Sequence, residues 1–157
     1  MEMPILTSEH RKLEKIAGRW EGEEKMYPSP WDPKGGTAIG RIKSRIALGG
    51  FALINDYEQE REGKITFTGH GVFTYSPEEK LYLLTWFDCM GVAPEVFKGT
   101  FDGEVLRLSH GGPGMHARLT YDLSEPGYLS TSMEMAQDGT NWMKFFDARL
   151  ARKDAPG

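Results

Sequence analysis

Gly18-Arg19-Trp20-Glu21-Gly22 marks the point where the chain changes character. Upstream, Thr7-Ser8-Glu9 supplies hydroxyl caps and an early acid. Leu13, Ile16 and Ala17 follow at helical spacing, which predicts one short helix of two to three turns stopping at Gly18. Downstream, Gly, Pro, Asn and Asp signals recur at intervals of roughly 10–14 residues, the rhythm of an antiparallel meander. A Gly, one residue, then a Trp at the head of the first strand is a recurrent way to close the base of a small β-barrel. Trp20 is therefore the expected floor, with Gly22 and Glu24 sharing its face.

The turn signals run from Pro33-Lys34-Gly35-Gly36 through Gly49-Gly50, Glu62-Gly63 and Ser76-Pro77-Glu78 to Asp138-Gly139, and predict about ten strands. Pairing across them sorts the faces. About Gly49-Gly50, Ile46 opposes Leu53, Ser44 opposes Asn55 and Ile42 opposes Tyr57, while Arg41 and Lys43 meet Glu58 and Asp56 on the reverse face. About Asp102-Gly103, Gly99 is set against Leu106 and Phe97 against Leu108. About Pro77, Phe73 faces Tyr82 and Gly69 faces Trp86. About Asp138-Gly139, Met133 faces Lys144, the one charge on an otherwise apolar face. Sequential hairpins with one apolar face each predict an all-β, single antiparallel up-and-down barrel of about ten strands, wide enough to enclose a small ligand.

Composition narrows the class. The 157 residues suit one domain, and 39% hydrophobic with 27% charged residues is ordinary for a globular chain. The expected division is a capping helix in 1–17, the barrel in 18–152 and a tail in 153–157. A net charge of −4 with scattered basic residues argues against nucleic acid as a partner. A single cysteine, Cys89, excludes an internal disulfide. No apolar run approaches the ~20 residues of a spanning helix, and no signal sequence is evident, so a cytoplasmic location without membrane association is expected.

Several pieces in order resemble a known family: His10-Arg11-Lys12-Leu13, Ala17-Gly18-Arg19-Trp20-Glu21-Gly22, Leu48-Gly49-Gly50-Phe51, Gly69-His70-Gly71-Val72-Phe73-Thr74-Tyr75, Trp86-Phe87-Asp88, Gly99-Thr100-Phe101-Asp102-Gly103 and Leu150-Ala151-Arg152. Together they resemble the calycin-like family known as domain of unknown function 1579. The resemblance implies a lipocalin-like closed barrel with a helix at one end. It also implies a cation from the last strand packed on Trp20, for which Arg152 is the first candidate and Arg149 the second, so that Gly18, Trp20 and Arg152 form the closure. The nitrobindins, also similar, hold haem through a histidine on a late strand. This chain has no histidine after His116, and no cofactor is expected.

The predicted interior carries the polar residues Glu24, Ser44, Asn55, Tyr57, Asp88, His110 and Lys144 among apolar ones, the pattern of a small-molecule site. Asn55, Tyr57, Trp86, Asp88, His110 and Lys144 are the expected ligand-binding residues. His110 and His116 flank a Gly-rich hairpin but lack a third ligand on a shared face, so no metal is expected. Cys89 has no base in reach and reads as a small, partly buried residue; His70 falls on the outer face. Pro28 to Pro33 forms a Pro-rich connection in which Trp31 is a candidate lid over the mouth. The expected function is binding of a small apolar or amphipathic molecule in the lumen, with self-association as a homodimer left open. The alternatives are an isomerase- or lyase-type enzyme using lumen acid–base groups, and a structural barrel with a filled core.

Overall fold

A computed structural model describes residues 2–30, 32–112 and 114–154. Ten antiparallel strands form a closed barrel in chain order: β1 (Gly18–Met26), β2 (Gly36–Ala47), β3 (Ala52–Arg61), β4 (Lys64–Ser76), β5 (Leu81–Asp88), β6 (Glu95–Asp102), β7 (Val105–Gly112), β8 (Met115–Asp122), β9 (Tyr128–Ala136) and β10 (Met143–Arg152). Closure comes from pairing of β1 with β10, which leaves no free edge to template association.

The N-terminal segment is shorter and tighter than its periodicity suggests. One α-turn, α1 (Ser8–Arg11), is capped reciprocally by Thr7 and His10 and runs into a 3-10 segment, Lys12–Ile16. This segment drives Leu13 and Ile16, both fully buried, into one end of the barrel. His10 is buried there as well, edge-on to Phe51 and Tyr75. The Tyr82 hydroxyl donates to the Glu9 carbonyl at 2.6 Å and to its carboxylate at 2.7 Å, which pins the plug to β5 and holds the Glu9 carboxyl below its usual range.

Trp20 sits directly above this plug at 3% exposure. Its indole N–H donates to the Ile16 carbonyl at 2.9 Å, and the Arg152 guanidinium lies 4.3 Å over the ring. The two residues are cross-strand partners, and Arg152 also donates to the Ala17 carbonyl at 3.2 Å. Arg149 points outward instead, stacked on Tyr128 and paired with Glu125. Gly18 is required here twice: its φ is +133°, and a Cβ would overlap the Arg152 guanidinium. Gly18→Ala should therefore lower stability by about 1–3 kcal/mol. A urea midpoint equal to that of the wild type would contradict this account of the closure.

Most face assignments hold, with some registers shifted. β2 and β3 pair as expected, Ile46 with Leu53, Ser44 with Asn55 and Ile42 with Tyr57. At β6–β7 the register slides by two, setting Gly99 against Leu108 and Phe101 against Leu106, because Gly103, at φ +61°, takes the first turn position. At β4–β5 the turn spans Pro77 to Lys80, so Tyr75 meets Tyr82 and Gly71 meets Trp86. A shift of two preserves the face. At β9–β10 the error is larger: a bulge between Lys144 and Phe146 pairs Phe146 with Met133 and Lys144 with Glu134. No described helix is long and apolar enough to cross a membrane.

Candidate functional site

The two ends of the barrel differ. At the plugged end, Leu53, Phe73, Leu84, Leu106 and Leu129 are fully buried. At the other end the inner faces remain partly exposed, at Tyr57 and Gln59 on β3, Phe67 on β4, Trp86 on β5 and Met133 on β9. The rings of Phe67 and Trp86 flank that of Tyr57, with centroids 6.1 and 6.3 Å away. This end, the mouth of the barrel, carries half-buried aromatic and thioether side chains.

Below the mouth, the β1–β3 wall carries a buried polar stripe. Glu24 is 1% exposed, and its Oε1 accepts a hydrogen bond from the Tyr57 hydroxyl at 2.5 Å. Gln59 donates to the same phenol oxygen at 3.1 Å. The carboxylate folds over Gly40, where a Cβ would overlap it. Its other oxygen, Oε2, has no partner, nor have Ser44 Oγ and Asn55 Oδ1 on the adjoining wall. Ser44 and Asn55 are cross-strand neighbours, and Asn55 is also 1% exposed. Three buried polar atoms on one wall each carry a desolvation cost of roughly 1–3 kcal/mol unless something inside the lumen meets them. Burial pushes the Glu24 carboxyl up to about 7, against the smaller opposing effect of the Tyr57 hydrogen bond; burial also raises the Tyr57 phenol.

The expected binding residues separate into groups. Asn55 and Tyr57 belong to the polar stripe. The Trp86 ring lies across Gly69, where a Cβ would overlap it, and beside Gly71, and its N–H donates to Asp88 Oδ2 at 3.0 Å. The other Asp88 oxygen accepts from the Met90 amide at 3.0 Å, so Asp88 both anchors the indole and starts the β5–β6 turn. His110 stands at the mouth beside Phe97, its Nδ1–H donating to the Val96 carbonyl at 2.9 Å.

Lys144 is a correction. The bulge turns it outward, where it is about half exposed and bonds Asp147 at 3.2 Å, so it does not line the lumen. Cys89 is exposed rather than partly buried. His70 lies on the outer face, 2.7 Å from Asp56. Trp31, the candidate lid, lies outside the described residues. Among the described residues, no group of three or more His, Cys, Asp or Glu side chains gathers to hold a metal.

Two grooves also mark the outer wall. One of about 570 Å³ runs over Thr120, Ser130, Ser132 and Asp147, and one of about 410 Å³ over Glu21, Arg41 and Asp56. Both are lined largely by outward-facing charged and hydroxyl side chains, and neither includes a buried unpaired polar atom.

A family model described as "Protein of unknown function (DUF1579)" matches residues 6–152. The chain belongs to this family. Solved structures share the architecture. Rv2717c from M. tuberculosis superposes with a TM-score of 0.72 at 16% identity, covering 96% of this chain and all of that one. The S-type phycobiliprotein lyase CPES from Guillardia theta superposes with a TM-score of 0.61 at 11% identity, covering 96% and 95%. At these identities the likeness is one of fold. No curated protein matches the chain in sequence.

Glu24 is what the sequence reading undervalued. Strand parity places it inside, but its partnership with Tyr57 joins strands that are not neighbours in the sheet, across the recess left by Gly40.

Proposed function

We propose that this DUF1579 barrel binds a small apolar or amphipathic molecule in its lumen, entering at the mouth formed by Phe67, Trp86 and Met133. The observation that carries this reading is the set of unpaired, buried polar atoms of Glu24, Ser44 and Asn55 beneath a mouth lined by aromatic and thioether side chains. An apolar body in the mouth and a polar group at the stripe would satisfy both surfaces at once. Ordered water could satisfy the stripe but would leave the aromatic lining wet.

Native mass spectrometry of the purified chain should show an added mass in the range of a lipid or metabolite. Decan-1-ol should change Trp86 fluorescence saturably. Met133→Trp, which fills the mouth, should abolish that response with little change in melting temperature. A bare mass together with no response to decanol would sink the proposal.

A second reading, isomerase- or lyase-type catalysis, draws on the Glu24–Tyr57 pair. A carboxyl poised near 7 and bonded to a phenol has the makings of a general acid–base couple. Turnover of a bound ligand that Glu24→Gln abolishes, with binding retained, would select catalysis over carriage.

A further inference from the structure

The charge inside the barrel is lopsided. Carboxyls and carbonyl acceptors line it: Glu24 at the base of the mouth, Asp88 and Glu95 at the ends of β5 and β6, and Asn55 on the wall. Among the described residues, strand pairing sets three arginines and lysines on the inner face: Arg152, Arg61 and Lys64, which pairs with Arg61 beyond the β4 irregularity and is exposed at the rim. Arg152 is at the floor, stacked on Trp20. Arg61 is at the rim, bonded to Asp32 at 3.1 Å and to the Gly35 carbonyl at 3.1 Å. An anionic head seated at Glu24 would face a carboxyl, the inner-face cations lying at the floor and at the outer rim.

We infer that the lumen recognises an amine, its ammonium seated between the unpaired Glu24 Oε2 and the Tyr57–Phe67–Trp86 ring cluster, with an apolar tail in the mouth. This rests on the lumen-binding reading above. An ammonium brings the donor that Glu24 Oε2 lacks, and brings a charge that holds the carboxyl ionised. Ring faces within reach add attraction that is strongest where water is excluded. Among the described residues, burial and the Tyr57 hydrogen bond are what act on the Glu24 carboxyl, and no cation does. Its neighbours on β2, β10 and β9 are Ala38, Gly40, Ala148 and Thr131, and the titratable groups facing it are the Tyr57 and Tyr121 phenols, both raised by burial. Asp88, Glu95 and His110 stand further out, at the mouth.

The ionised carboxyl is the form that pairs with the amine. Affinity should therefore fall as pH drops through the free-state value of about 7, approaching tenfold per unit below it. A His110→Gln background separates the imidazole's own charge from this profile.

Three probes with one tail test the inference: decylamine, decan-1-ol and decanoate, titrated calorimetrically into the full chain at pH 8. Decylamine should bind at least tenfold more tightly than decanoate. Glu24→Gln, checked for an intact melting transition, should bring the amine down to the level of the alcohol and flatten the pH profile. Phe67→Leu should weaken the amine several-fold more than the alcohol. Decanoate binding as tightly as the amine, or an amine preference that survives Glu24→Gln, overturns the inference while leaving lumen binding intact. If none of the three binds, both readings fall together.

Discussion

Trp20→Ala is expected to lower the melting temperature by about 10–15 °C, corresponding to a loss of about 3–5 kcal/mol for a buried Trp truncated to Ala in a domain of this size. Three losses combine. The indole is 3% exposed at the seam between plug and barrel, so its removal opens a cavity that Leu13 and Ile16, held in the 3-10 segment, cannot refill. The Ile16 carbonyl loses its donor. Arg152 loses the ring it stacks on, a contact worth about 0.5–2 kcal/mol. Set against a typical total of about 5–15 kcal/mol, this is a large fraction. A double-mutant cycle with Arg152→Met isolates the stacking, since the methionine keeps an apolar stem and discards the cation. Non-additivity of at least 0.5 kcal/mol is expected. A Trp20→Ala variant melting within a few degrees of the wild type would mean that the floor is held elsewhere.

The floor could be read from Gly-x-Trp at a helix-to-strand boundary, whereas its cation from the last strand came from the family resemblance, with Arg152 as the first candidate. The β2–β3 register could be read because Arg41 and Lys43 oppose Glu58 and Asp56 in one alignment and lose both carboxylates if it slips by one. Hairpins without such a charge code slid by two. Periodicity of two cannot sense that error, which is why the sequence sets Trp86 on the right face but opposite Gly69 rather than Gly71. Lys144 failed for a different reason: a bulge adds one residue to one strand and reverses every side chain on one side of it. The Glu24–Tyr57 contact was illegible because it depends on which non-adjacent strands the closed barrel brings face to face, and on Gly40 leaving room for a carboxylate. Neither is a property of any window of sequence.

Glu24→Gln should change stability in a direction that depends on pH, which distinguishes a buried, unpaired carboxyl from a solvated one. The folded-state value of about 7 lies above the ordinary carboxylate value of ~4.3. Below ~4.3 the carboxyl is neutral in both states, and the wild type bears no linkage cost. Between ~4.3 and 7 the unfolded chain ionises while the folded one resists, so stability falls with rising pH. Above 7 both are ionised, and the loss has reached its limit of about 4 kcal/mol. The amide variant does not titrate. It retains an oxygen for the Tyr57 hydroxyl but buries an N–H₂ with no assured acceptor, at about 1–2 kcal/mol at every pH. The variant should therefore be the less stable protein at pH 4 and the more stable one at pH 8.5, with the difference swinging by about 4 kcal/mol and centred near pH 5.5–6. Chemical denaturation of both proteins across that range measures the swing. The slope also bears on function, because a site that sacrifices stability at neutral pH to keep a carboxyl unpaired is one whose missing partner, when bound, restores it. A saturating amine should accordingly raise the wild-type midpoint most at pH 8 and least at pH 5, and should raise that of the amide variant by a smaller amount that is the same at both.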